Sequence, residues 1–225
     1  SKMIASLTDA DGRVTVPGFY DRVRELSPAE RTDFGRAPFC EAAFCKSIGV
    51  RETAGEKGYS TMERIGVRPS LDVNGIWGGY TGEGAKTIIP SKAHAKISMR
   101  LVPYREIGRL FAGHFRSIAP RSVRVDVEVL HGGFPYVCPT DLPAYRAAAR
   151  AVERTFGRKP LPYYSGGSIP IISTFEKELG VKSVLLGFGL DRDAIHSPNE
   201  SYGLENFLRG IETIVWFYRE FAAGR

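Results

Sequence analysis

Hydrophobic positions along this chain recur with two periods. Met3, Ile4 and Leu7 share one helical face and read as the end of a helix. From Asp9 to about Ser70 the pattern breaks into polar, turn-rich sequence with short helices. Ser27 is placed to cap one that begins at Pro28, with Glu30 in its first turn. "SLDVNGI" reads as a strand and "WGGYTGEGAK" as a glycine-rich loop. Strict alternation follows. Ala93, Ala95, Ile97, Met99 and Leu101 fall on one face, and His94, Lys96, Ser98 and Arg100 on the other, as in a half-buried strand. Ile107, Leu110, Phe111 and Ile118 line one side of a helix, and "SVRVDVEVL" alternates again up to His131. Strand, strand, helix, strand predicts an antiparallel sheet with helices on one side, an α+β layer.

The character changes after "HGGFPYVCP". Asp141 is expected to cap a helix with Pro143 in its first turn, and Gly157 to stop it. "LPYYSGGSIPII" passes from strand to loop to helix, and "SVLLGFG" is apolar on both faces, as a strand of a covered parallel sheet must be. The last helix puts Leu204, Phe207, Leu208, Ile211, Val215 and Tyr218 on one stripe. The two parts therefore read as an α+β domain over 1–132 and an α/β segment over 133–225.

Bulk properties narrow the function classes. With 225 residues, 43% hydrophobic and 25% charged, the chain has an ordinary globular composition and no apolar run of membrane-spanning length. The net charge of +6 raises nucleic acid as a partner, but the basic residues are scattered among acids and form no recognition motif. The expectation is no nucleic-acid and no membrane partner. Cys40, Cys45 and Cys138 make no paired framework and are expected to be reduced, which points to a cytoplasmic setting.

Few residues offer chemistry. His196, in "GLDRDAIHSPNES", follows the carboxyl end of the "SVLLGFG" strand, where ligand sites form in open α/β sheets. It is a candidate metal ligand or acid/base, though a solvent-facing turn histidine accounts for the same pattern. In "SGGSIP", Gly166 and Gly167 before Ser168 let backbone approach a ligand and the helix start near Pro170 offers N–H groups to an anion, without the order of a nucleophile elbow; helix capping by Ser168 accounts for the same pattern. Arg100 ends the polar face of its strand, and its planar guanidinium suits a carboxylate, though an exposed or salt-bridged arginine accounts for the same position. His131 ends another strand before two glycines, and Thr87 borders the glycine-rich loop. No H-x-D, H-E-x-x-H or Glu-Glu pair is present, so a zinc site needing three or four protein ligands has one candidate here, His196.

Together, "DGRVTVPGFYDRV", "LDVNGIWGGYTGEGAKTIIPSKAHAKISMRLVP", "HGGFPYV", "GGSIPI" and "LLGFGLDRDAIHSPNES" resemble the di-zinc metallopeptidases. That family includes carnosinase-type dipeptidases, aminoacylases, succinyl-diaminopimelate desuccinylase and glutamate carboxypeptidases. The resemblance runs in order over nearly the whole chain and is closest to the dipeptidase-like branch. It implies that residues 1–132 are most of a lid that mediates homodimerisation, and that 133–225 are the last part of the catalytic domain.

It also implies residue roles. His196 would bind one of two zinc ions, and Arg100 and His131 would hold the substrate's carboxylate or reacting carbonyl region, with His131 also catalytic. Thr87 would reach the site across the dimer, and Gly167 and Ser168 would bind the substrate's C-terminal end. The substrate would be a peptide or acyl-amino acid. Two departures from the family pattern stand out. Its early portion, with the remaining metal ligands and the general base, has no counterpart here, so the chain alone is expected to be inactive and to bind zinc incompletely or not at all. Tyr164-Ser165 also stands where dipeptidase-like members often have Arg-Glu. A non-catalytic dimerisation or binding module is the competing reading.

Overall fold

The computed structural model describes residues 1–101, 104–166 and 169–224. They fall into two compact units, Ser1–Pro135 with Tyr163–Ser173, and Tyr136–Pro162 with Thr174–Arg225.

The first unit holds α1 (Lys2–Ala5), α2 (Pro28–Phe34), α3 (Glu41–Ile48), α4 (Thr61–Gly66), β1 (Ser70–Gly78), β2 (Ala93–Arg100) and α5 (Tyr104–Ser117). β1 and β2 pair antiparallel from Ser70↔Arg100 to Gly78↔Ala93, with the register slipping between Val73 and Gly75. Of the apolar face of β2 only the second half packs inward, for Ala93 and Ala95 are exposed. Ile97 and Met99 lie against a core of Leu7, Val14, Val16, Phe19, Ile107 and Phe111. Each such side chain contributes roughly 1.5–3 kcal/mol when fully buried.

The turn-rich segment is organised by caps and by a buried charge cluster. Ser27 and Glu30 form a reciprocal capping box on α2, with Pro28 in its first turn, and Ser60 and Glu63 do the same for α4. Between them Arg68, only 4% exposed, donates two bonds to Glu56, itself 6% exposed, from Nε at 2.8 Å and Nη2 at 3.0 Å. Arg68 also lies 4.2 Å from the Tyr59 ring and 5.3 Å from that of Tyr20.

The Glu30 carboxyl is held down to about 2 from an ordinary 4.5, first by the Arg24 guanidinium and then by the Ser27 backbone N–H and hydroxyl. A lowered folded-state pKa stabilises the protein above the unfolded value, and that contribution is lost as pH falls from about 4.5 through about 2. Glu30→Gln should therefore lessen the drop in urea midpoint between about pH 7 and about pH 3. A drop equal to that of the unsubstituted protein would contradict this.

In the second unit, α6 (Pro143–Phe156) packs on α8 (Leu204–Ala223). α7 (Ile171–Leu179) begins in the first unit and ends in the second. Small residues, Ala147, Ala148 and Ala151 on α6 with Gly210 and Thr213 on α8, are the buried ones and allow close helix approach. Arg150 Nε pairs with Glu220 at 2.6 Å, and the Arg154 guanidinium lies 3.5 Å over the Trp216 ring.

Four sequence expectations need correction. The α6 cap is Leu142 rather than Asp141, because Pro143 occupies the first helical turn and fixes the residue before it as the cap. Residues 123–130 form no ladder. Val125 and Val127 are half-buried while Arg124, Asp126 and Glu128 are exposed, so the alternation reflects packing on the α5 side without strand pairing. Residues 183–189 are likewise unpaired, and their main chain is fixed at Ser183, which bonds the Tyr136 hydroxyl through both N–H (2.9 Å) and C=O (2.8 Å). The stripe Leu204, Phe207, Leu208, Ile211, Val215 and Tyr218 is exposed, because α8 turns its small-residue side toward α6. No helix among the described residues is long and apolar enough to cross a membrane.

Candidate functional site

β2 ends at Arg100, and the next residue, Leu101, has φ 61°. A leucine in the left-handed region is strained, and such strain collects at functional positions. The bend leaves Arg100 exposed at the strand terminus, where its Nη1 donates to the Gly166 carbonyl at 3.2 Å. Residues 163–166 are themselves pinned. The Tyr164 ring meets Phe34 edge-on at 5.6 Å, and its hydroxyl lies 3.5 Å from Glu30 Oε1.

His131 is exposed and lies two residues before Gly133. A Cβ on Gly133 would come within 2.8 Å of Pro170 Cβ, so the segment after His131 passes Pro170 in close contact. In the first unit Arg100 thus meets Gly166, and the segment after His131 meets Pro170. Gly167 and Ser168 lie outside the described residues. Thr87 sits exposed in the irregular loop between β1 and β2.

His196 belongs to the second unit. Its loop is knotted around Asp193, which is 3% exposed. Asp193 Oδ2 accepts from the Leu190 N–H at 2.7 Å, and its carbonyl accepts from the Ser201 N–H at 2.9 Å. Ala194, His196 and Asn199 all have positive φ, near 53°, 62° and 63°. Three left-handed residues within six positions are costly. They hold the exposed His196 at the apex, with its N–H donating to Glu200 Oε2 at 3.1 Å.

Among the described residues no three His, Cys, Asp or Glu side chains converge on a point that could hold a metal ion. His196 is a single donor where tetrahedral zinc takes three or four. The described residues therefore do not by themselves fit a resident metal. Thiol chemistry at Cys138 is disfavoured, since burial pushes its thiol up and away from the reactive thiolate.

Sequence reading missed two features. Asp193 was visible only as an acid near His196, and nothing local marked it as the loop's buried anchor. The contact of α4 with residues 164–166 had no local signal, because the two segments lie far apart in the chain.

The description of peptidase family M20/M25/M40 matches residues 26–220. A Cys-Gly metallodipeptidase of Candida albicans is 32% identical over 219 residues, covering 95% of this chain and 45% of the relative. The human Beta-Ala-His dipeptidase is 28% identical, covering 98% and 45%. The solved structure of the di-peptidase Dug1p from Saccharomyces cerevisiae superposes with a TM-score of 0.83 at 27% identity, covering 98% of this chain and 47% of that one. The chain spans about half the length of the curated relatives it matches.

Proposed function

The chain belongs to peptidase family M20/M25/M40, and from that premise we propose that it is the carboxylate-binding part of a metal-dependent dipeptidase. The substrate is a dipeptide or acyl-amino acid with a free carboxylate. Residues 1–132 act as lid and dimerisation domain, and 133–225 belong to the catalytic domain. His196 contributes one ligand to a zinc site whose other ligands come from the half of the relatives' length that this chain does not match.

One observation carries the reading. Arg100 is anchored on the Gly166 carbonyl, and the segment after His131 meets Pro170, four residues further along the chain. A guanidinium held in place by a backbone carbonyl is suited to orient a planar carboxylate. His131 would donate to the same end of the substrate or to its reacting carbonyl. Gly167 and Ser168 would receive the substrate's terminus, and Thr87 would reach the site from the second subunit of a homodimer. The relatives named above are a Cys-Gly and a Beta-Ala-His dipeptidase, and both of those dipeptides carry the carboxylate that this arrangement reads.

Arg100→Ala in the complete protein should raise KM for a dipeptide and lower kcat/KM about 10- to 150-fold. That matches a charged hydrogen bond worth roughly 1.5–3 kcal/mol. Arg100→Lys keeps the charge without the fork and should fall between. Unchanged kinetics in both variants would remove Arg100 from the site.

A further inference from the structure

The end of α4 and the residues before "GGS" meet backbone to backbone. Gly66 is buried, and a Cβ there would lie 2.4 Å from the Tyr164 carbonyl oxygen and 3.1 Å from Phe34 Cζ. The relation is reciprocal, for a Cβ on Gly166 would lie 2.3 Å from the Ile65 carbonyl oxygen. Real Cβ atoms essentially never come within 3.0 Å of a neighbour. Each glycine therefore faces the carbonyl of the other segment, and no side chain fits between. Neither has a positive φ, so backbone conformation does not explain them; close approach does. The Gly166 carbonyl in turn receives Arg100 Nη1 at 3.2 Å.

We propose that Gly66 and Gly166 are positioning residues, a two-glycine brace that sets how far Arg100 and the Gly166 backbone stand from α4. This rests on the reading that Arg100 binds the substrate's carboxylate. A methyl group on either glycine must push the two chains apart by several tenths of an ångström or more. Arg100 then loses its register on Gly166. A displacement of about 1 Å at a substrate-positioning group costs on the order of 10²-fold in rate.

The test compares Gly66→Ala and Gly166→Ala with Gly157→Ala. Gly157 has φ 71° and nothing within 4 Å of its Cβ position, so alanine there strains the backbone without touching this contact. In the 225-residue chain, the guanidinium NMR signals of Arg100 should shift in the first two variants and stay in place in the third. In the complete protein, the first two should raise KM for a dipeptide about 10- to 100-fold, with bound metal unchanged. KM does not depend on how much of the enzyme is folded, so simple destabilisation leaves it alone. Unmoved Arg100 signals would overturn the brace whatever the enzyme's activity. Moved signals with an unchanged KM would overturn its positioning role. A complete protein that cleaves no dipeptide would overturn the dipeptidase reading, and the NMR signals would still decide the brace.

Discussion

Replacing His196 by asparagine in the complete protein is expected to lower dipeptide turnover by more than about 10²-fold and to remove about one metal ion per chain. The scale follows from outer-shell partners, whose loss already costs roughly 10- to 100-fold; a direct ligand costs more. Asparagine tolerates the left-handed backbone found at φ 62°, so the loop keeps its shape while the imidazole is lost. His196 is exposed, and surface changes away from special features stay within about 0.5 kcal/mol. Urea unfolding of the 225-residue chain should therefore be nearly unchanged. Full turnover and full metal content in the variant would reduce His196 to a turn residue.

The second large effect is on stability. Arg68→Ala leaves Glu56 buried without its two-bonded partner, and breaking a buried pair this way costs about 3–5 kcal/mol. Arg13 Nη1, 3.2 Å from Glu56 Oε1 but half exposed, offsets only part of the loss. Replacing both partners with apolar residues of similar volume, Arg68→Met with Glu56→Leu, should recover most of it, because it leaves no buried charge unpaired. Urea denaturation of the three proteins reads both effects. A cost below about 1 kcal/mol for Arg68→Ala would show that the cluster is not what holds the turn-rich segment.

What the sequence made legible follows from the range of the forces involved. The α2 capping box was readable because Ser27 and Glu30 are three residues apart and satisfy each other locally. The inward side of β2 was readable at Ile97 and Met99, where alternation records burial, but not at Ala93 and Ala95, which are exposed. Periodicity records a stripe on α8 but not what covers it, and the helix turned its small residues inward instead. Strand pairing at 123–130 and 183–189 depends on neighbours that alternation and apolarity do not encode. Arg100 stood out as a candidate carboxylate reader from its residue type and strand position. Its anchor on Gly166, 66 residues away, and the Gly66–Tyr164 contact were not, since only the fold brings them together. The three left-handed residues around His196 were equally hidden, because alanine and histidine do not announce a positive φ as glycine does.

His196 is proposed to complete a metal site whose other ligands lie outside this chain. Elemental mass spectrometry on the desalted 225-residue chain, beside the product of its complete gene, tests this directly. Two zinc ions are expected per complete chain and far less than one on the 225-residue chain. Stoichiometric zinc on the 225-residue chain, or none on the complete protein, would contradict it.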